Sequence, residues 1–355
     1  MADTSDLHEL RRRIQALDET IIEAAAERTR LAREVARVKE DHDLPTVDYA
    51  QEKRVLENAR RIASEKGIEG DLAEDLLARL IRASVGEQEV RRLRHAATGE
   101  GQSAVVIGGA GRMGRWMVRF LQTQRFQVQI VDPAAPEALD RAGRALLPSA
   151  DWILCATPPG VLVELYRSFS MQPPKGLVCD IASIKSPLIG PIGELRSLGV
   201  RVGSFHPMFG PAAVVLRDED VVVCDTGDAD ALEAVQSLFA PTSARLFLVD
   251  LDEHDRLMAE VLALAHATTM AFSVARASGE APQVHSTSYK VLEDLATLLA
   301  AESADVYFEI QADNPFAGRA LQRLAHAIER IERAVKSGDR PHFARLMKGE
   351  LEGSS

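Results

Sequence analysis

The chain has 355 residues, 46% hydrophobic and 27% charged, with a formal net charge of −11. Length and apolar content suit a soluble globular chain of two or three domains rather than a disordered or fibrous one. The acidic balance argues against a nucleic-acid or anionic-membrane partner, so local basic clusters must hold any anionic substrate.

The N-terminus is charged and amphipathic, with no signal peptide or membrane-spanning run, so a cytoplasmic location is expected. Ser5 and Asp6 read as a helix start, with Glu9 closing a capping box. Leu7, Leu10, Ile14, Leu17 and Ile21 recur at spacings of three and four, Leu31, Val35 and Val38 continue the stripe, and no proline precedes Pro45. This predicts one helix of ~35 residues, roughly 50 Å long. Such a stripe cannot be buried within a hundred-residue monomer, so a partner chain, in a homodimer, is expected to cover it. Two further helices are predicted at about 48–66 and 71–94, followed by a Gly- and Ser-containing linker over 96–103.

Around the first helix Arg28 and Lys39 differ by only about 20° and lie roughly 16 Å apart along the axis, so both can converge on a small dianion. Arg11 points about 100° away from Arg28, which suits reaching into a neighbouring subunit. Asp48 and Glu52 share a helix face, as do Ser84 and Gln88. A solvated coiled-coil surface would show the same pattern.

From Ala104 to Asp132 the order is apolar strand, Gly109-Ala110-Gly111-Arg112-Met113-Gly114, amphipathic helix, second strand, acid. That is a complete dinucleotide-binding unit, in which Gly109, Gly111, Arg112, Met113 and Gly114 are the candidate cofactor contacts. Asp132 is placed to accept from ribose hydroxyls and to repel a 2′-phosphate, which favours NAD. Strands at 152–156, 177–181, 201–205, 221–224 and 245–249 continue the α/β rhythm. Thr157 opens a loop over the cofactor, and Ser183, Lys185 and His206 fall at carboxyl ends of strands, where ligands of open α/β sheets bind. Ser183 and Lys185 read equally well as a helix cap and a surface charge. Cys155, Cys179 and Cys224 lie in or beside apolar strand-like runs without metal-ligand spacing, so they read as reduced core residues and no metal site is expected. A long apolar helix over 251–277 and helices near 289–301, 304–312 and 317–336 complete the chain. The expected domains are helical (1–95), a Rossmann dinucleotide-binding domain (104–250) and a helical dimerisation and substrate domain (251–355).

Two resemblances sharpen this reading. Residues from Leu7 to about Gln88 resemble the all-helical chorismate mutase domain of bifunctional aromatic-biosynthesis enzymes. Its chorismate-binding positions appear here as Arg11, Arg28, Lys39, Asp48, Glu52, Ser84 and Gln88, while Gln51 stands where the family usually has an arginine. The segment from about Ser103 to Gly349 is similar to the TyrA family of prephenate and arogenate dehydrogenases. The run His206-Pro207-Met208-Phe209-Gly210-Pro211 is its most specific motif, supported by Ala182-Ser183-Ile184-Lys185, Glu253-His254-Asp255 and His266. Together they resemble the fused T-protein arrangement. The resemblance implies rearrangement of chorismate to prephenate, with Lys39 and Gln88 donating to the ether oxygen. It implies next an NAD-dependent oxidative decarboxylation of prephenate, with His206 as proton acceptor, Ser183 orienting, and Lys185 and His266 contacting substrate or shaping the site. Leu298 stands where that family carries a substrate-clamping arginine, with Lys290 the nearest cation. Because Gln51 and Leu298 both replace arginines, 4-amino-4-deoxy analogues are an alternative substrate pair. Ala212 offers no carboxylate for an amino-acid ammonium, which disfavours arogenate. A dehydrogenase with a non-catalytic helical dimerisation module is a further alternative.

Overall fold

The computed structural model describes residues 4–42, 48–279 and 282–350, so Pro45 and the Ser5 side chain lie outside the described residues. Three helices open the chain: α1 Thr4–Asp41, α2 Tyr49–Lys66 and α3 Gly70–Ala96. Asp48 caps α2, its carboxylate accepting the Gln51 N–H at 2.9 Å. Leu10, Ile14 and Leu17 on α1 are 53%, 58% and 62% exposed, so one chain leaves the predicted stripe uncovered.

The middle of the chain alternates strand and helix: β1 Ser103–Ile107, α4 Arg112–Thr123, β2 Gln127–Val131, α5 Glu137–Leu146, β3 Trp152–Cys155 and α6 Pro159–Met171. It continues with β4 Leu177–Asp180, α7 Ile189–Ser197, β5 Val202–Pro207, β6 Asp220–Asp225, α8 Ala229–Phe239 and β7 Arg245–Asp250. The seven strands lie in the order β2-β1-β3-β4-β5-β6-β7. The pairings from β2 through β5 are parallel, β6 runs antiparallel to β5, and β7 parallel to β6. Strands β3 and β4 are buried throughout, as their continuous apolar runs require when helices cover both faces. Trp116, Met117, Phe120 and Leu121 bury one face of α4 against the sheet, at roughly 1.5–3 kcal/mol for each fully buried large side chain. The cysteines are free and buried.

Helices α9 Leu251–Met258, α10 Ala265–Ala277, α11 Thr287–Ala300, α12 Ala304–Ala312, α13 Ala317–Ser337 and α14 Arg340–Met347 follow. The run 251–277 is one continuous rod, as expected, but Ala259–Leu264 forms a π-helical turn. Such a turn takes in an extra residue and redirects the side chains beyond it. All-helical, α/β and all-helical parts therefore follow in the expected order.

The linker does not leave the first part tethered loosely. Leu93 of α3 packs in the same core cluster as Trp116, Phe120 and Phe126. Buried Glu89 accepts the Leu216 N–H at 3.1 Å and the Ser243 N–H at 3.4 Å. A Cβ on Gly86 would sit 2.5 Å from Val215 Cγ2, which explains a glycine inside α3.

Candidate active sites

In the helical part, Arg28, Lys39, Asp48, Gln51, Glu52, Ser84 and Gln88 line one cavity of about 180 Å³. Arg28 Nη1 donates to Ser84 Oγ at 3.2 Å, and that hydroxyl donates to the Leu80 carbonyl at 2.8 Å, so the guanidinium is aimed across the cavity. Arg11 is exposed and stands apart, about 26 Å along α1 from Arg28. Glu52 also has a partner that periodicity cannot reveal: Arg217, from the segment between β5 and β6.

The sheet order puts the switch point between β1 and β3, where a crevice opens at their carboxyl ends. Gly108, absent from the sequence-based set, adopts φ +81 there. A Cβ on Gly114 would meet the Gly108 carbonyl at 2.0 Å, so the third motif glycine lets α4 close onto the strand. Asp132 sits at the end of β2 and accepts the Ala110 N–H at 2.9 Å and the Ala134 N–H at 2.8 Å. Each of its oxygens keeps a lone pair free of these bonds. Thr157 Oγ1 is buried at the same crevice with no partner among the described residues. A backbone cradle, an acid at the second strand and an unpartnered hydroxyl suit a dinucleotide. Arg112 instead pairs with Glu302 at 2.5 Å, tying the start of α4 to the turn before α12.

Met113 lies where this crevice meets a second cavity, of about 340 Å³, lined also by Ser183, His206, His266, Glu302 and Tyr307. The strand β5 extends two residues beyond the expected end, so His206 is a strand residue, only 6% exposed. Its Nδ1 lies 3.1 Å from His254 Nε2, and His254 Nδ1 lies 2.8 Å from Asp255 Oδ1. Burial works to raise the Asp255 carboxyl, but donors from His254 and from the Ser186 and Lys185 backbone outweigh it and hold the group low. Ionised Asp255 accepts from His254 Nδ1–H, and neutral His254 then presents a bare Nε2. His206 must donate from Nδ1 to that atom, which leaves its own Nε2 unprotonated. Burial, His254 and the Lys185 ammonium hold His206 well below the ordinary imidazole range. The chain of three groups therefore sets up a neutral proton acceptor.

His266, two residues past the π turn in α10, stacks edge-on against Tyr307 at 4.4 Å, with Nδ1 buried and without a partner among the described residues. Burial keeps it below its usual pKa. Lys185, expected to contact substrate or shape the site and equally readable as a surface charge, is not at the surface and does not line the cavity. It is fully buried, and its Nζ donates to Asp180 Oδ1 at 2.6 Å and to the Phe205 carbonyl at 3.0 Å. It braces β4 against β5 beneath His206. Leu298, 68% exposed, and Lys290, also exposed, do not line the cavity, which among the described residues has no lysine or arginine. His254 and Asp255, noted in the sequence only as a supporting motif, and Glu302, Tyr307 and Arg217 were not foreseen as site residues.

Residues 10–89 match the family model for chorismate mutase type II, and residues 123–248 that for the prephenate dehydrogenase nucleotide-binding domain. The chain is 26% identical over 352 residues to a T-protein of Enterobacter agglomerans, covering 96% of this chain and 92% of that protein. It is 30% identical over 272 residues to a 4-amino-4-deoxyprephenate dehydrogenase of Streptomyces pristinaespiralis, covering 70% of this chain and 90% of the relative. Prephenate dehydrogenase from A. aeolicus, solved with hydroxyphenyl propionate and NAD+, shares the fold with a TM-score of 0.57 at 18% identity, covering 70% of this chain and 95% of that one.

Proposed function

The chain belongs to the prephenate dehydrogenase family, with a type II chorismate mutase domain ahead of the dehydrogenase part, and from that membership we propose a bifunctional enzyme of tyrosine biosynthesis. It rearranges chorismate to prephenate in the helical cavity and oxidatively decarboxylates prephenate to 4-hydroxyphenylpyruvate in the second cavity, with NAD+ as cofactor. The observation that carries this reading is the gathering of six of the seven mutase positions (Arg28, Lys39, Asp48, Glu52, Ser84 and Gln88) around one cavity, while His206 and Ser183 share another.

The first reaction is pericyclic and needs neither nucleophile nor general base. Holding a compact conformer and stabilising charge on the ether oxygen are the routes to rate. Arg28, with Arg11 of a second copy, grips the carboxylates, and Lys39 and Gln88 donate to the ether oxygen. Gln88→Glu is therefore expected to lower mutase kcat roughly 10²–10³-fold at pH 8, because an ionised carboxylate cannot donate. Activity should return as pH falls and the carboxyl protonates, while NADH formation from prephenate is unchanged. A flat pH profile for this variant would remove Gln88 from the role.

At the crevice beside the second cavity, Gly109, Gly111 and Gly114 would cradle the pyrophosphate and Asp132 the ribose, with Thr157 Oγ1 at the crevice wall. Bound NAD+ supplies the hydride acceptor for C4 of prephenate. Ser183 orients the C4 hydroxyl, and His206 Nε2 takes its proton. Loss of CO₂ makes the ring aromatic as a phenolate, to which the same proton returns. Because the folded pKa of His206 is depressed, it stays neutral through mildly acidic pH. The acid limb of kcat/KM for prephenate is expected below pH ~6.5, the free-imidazole value. A limb centred at or above that value contradicts the assignment.

A cytoplasmic homodimer completes the reading. Val274, Leu298 and Phe308 of the carboxyl-terminal helices are 67%, 68% and 71% exposed, as is the α1 stripe to a similar degree, and a second copy would cover them. Leu251–Ala277 is long and apolar enough to cross a bilayer, yet it carries the fully buried His254 and Asp255. Charged and imidazole groups serving a water-facing cavity fit a dimer helix better than a lipid-facing one. A second reading, the same reactions on 4-amino-4-deoxy substrates, is favoured by Glu302 in a cavity lined by no lysine or arginine among the described residues.

Incubation with chorismate, first alone and then with NAD+, tests both steps. Chorismate loss without NAD+ and NADH formation after its addition are expected. NADH from added prephenate without any chorismate loss would leave the helical part a binding module. Turnover of amino analogues alone would replace the substrate pair.

A further inference from the structure

The segment between β5 and β6 walls one cavity and contacts a lining residue of the other. At one end Met208 to Pro211 wall the dehydrogenase cavity. At the other, Arg217 grips Glu52 of α2 with both arms, Nη1 to Oε1 at 2.9 Å and Nη2 to Oε2. The two side chains are only 13% and 17% exposed, so this pair is largely withdrawn from water, unlike the surface pairs on α1. The Arg217 guanidinium also lies 5.5 Å from the centroid of the Tyr49 ring, next to the Asp48 cap. Two further contacts fix the segment, the Leu216 N–H on Glu89 and Val215 against Gly86, and Asp218 is held at φ +63 just past the arginine. A non-glycine residue in that region marks a backbone over-determined by its surroundings.

Charge balance gives the pair a purpose. Of the mutase-cavity residues, Arg28 and Lys39 carry positive charge and Asp48 and Glu52 negative, while Gln51 carries none. Those four charges cancel, so within one chain the cavity lining offers a dianion no net attraction, and Arg11 of a second copy would add a single positive charge. A bidentate guanidinium neutralises Glu52 and shifts the balance at the cavity toward positive; Asp218, 3.3 Å from Arg217 Nε, is 63% exposed, so solvent screens its opposing charge. Each Glu52 oxygen still keeps a lone pair to accept a substrate hydroxyl.

We propose that Arg217, supplied by the dehydrogenase part, is a positioning residue of the mutase site. It fixes Glu52 for substrate and offsets the charge that Gln51 does not provide, so the mutase cavity is assembled across both halves of the chain. This rests on the mutase reading above. The test uses the full chain with Arg217→Met, Arg217→Lys, Glu52→Gln and the double variant Arg217→Met/Glu52→Gln. Arg217→Met is expected to raise the chorismate KM about tenfold with a smaller change in kcat, and Arg217→Lys to recover only part of it, since a point charge lacks the fork. The dehydrogenase kcat at saturating prephenate should stay within about twofold. The double variant should be no worse than Glu52→Gln alone, the signature of coupled residues. An unchanged chorismate KM in Arg217→Met, additive effects in the double variant, or parallel loss of both activities with the unfolding midpoint in both Arg217 variants would each overturn it. Absence of chorismate turnover by the unaltered chain would instead remove the mutase reading itself, and the role of Arg217 with it.

Discussion

Asparagine in place of His206 is expected to slow NADH formation from prephenate by roughly 10²–10⁴-fold, the usual worth of a positioned general base, while chorismate loss proceeds at its original rate. The substitution suits the site because it separates geometry from basicity. An asparagine amide can still donate toward His254 Nε2, the atom now 3.1 Å from His206 Nδ1, so the buried chain through Asp255 keeps its end group. What disappears is the unprotonated Nε2; of the other bases that line the cavity among the described residues, His266 packs edge-on against Tyr307 and Glu302 is paired with Arg112. Without an acceptor the C4 hydroxyl must shed its proton to water during hydride loss. The residues lining the mutase cavity come from α1, the Asp48 cap, α2 and α3, and none from β5, so its activity is an internal control for folding. Parallel absorbance assays for NADH and chorismate measure both. A fall of less than tenfold in NADH formation would mean that another group takes the proton.

How much of this was legible in the sequence depended on the range of the interaction. The α1 stripe and the glycine turn are local, with spacings set by helix and turn geometry, and α1, β1 and α4 appear where those spacings put them. His206 was visible as a histidine at a strand end. Its partner was not: His254 is 48 residues away, and which of Glu253, His254 and Asp255 faces the site depends on how α9 packs on the sheet. The π turn Ala259–Leu264 is similarly silent, because no breaker residue marks it within an apolar run. Arg217 lies past the recognisable motif in a segment without periodicity, and only the docking of α3 on the sheet part brings it to Glu52. The burial of Lys185 was not legible for a general reason: a lysine at a strand end reads as a surface or ligand charge, since lysine is almost never fully buried unless paired. Asp180, its partner, was hidden at the end of an apolar strand.

Lys185→Met should accordingly be a stability mutation before it is a binding mutation. The ammonium is fully buried with Asp180, and Tyr166 Oη and the Ala182 N–H also reach that carboxylate, at 3.3 Å and 3.1 Å. Removing the cation leaves a charge in the interior without its counterion, which costs roughly 3–5 kcal/mol. In a part of this size that corresponds to a melting point lower by ~10 °C. The double variant Lys185→Met/Asp180→Asn removes both charges and should recover much of the loss, because the penalty comes from the unpaired carboxylate more than from the missing bond. Activity carries a second signature. The Lys185 charge is one of the influences that depress His206, after burial and His254. Without it the folded pKa of His206 rises toward the ordinary value, and the acid limb of kcat/KM for prephenate moves to higher pH. The prephenate KM well above that limb should change little, since Nζ faces Asp180 and the Phe205 carbonyl rather than the cavity. Thermal melts of the single and double variants, with a pH series on the folded fraction, measure each effect. A variant as stable as the parent with a strongly raised prephenate KM would return Lys185 to the role of a direct substrate contact.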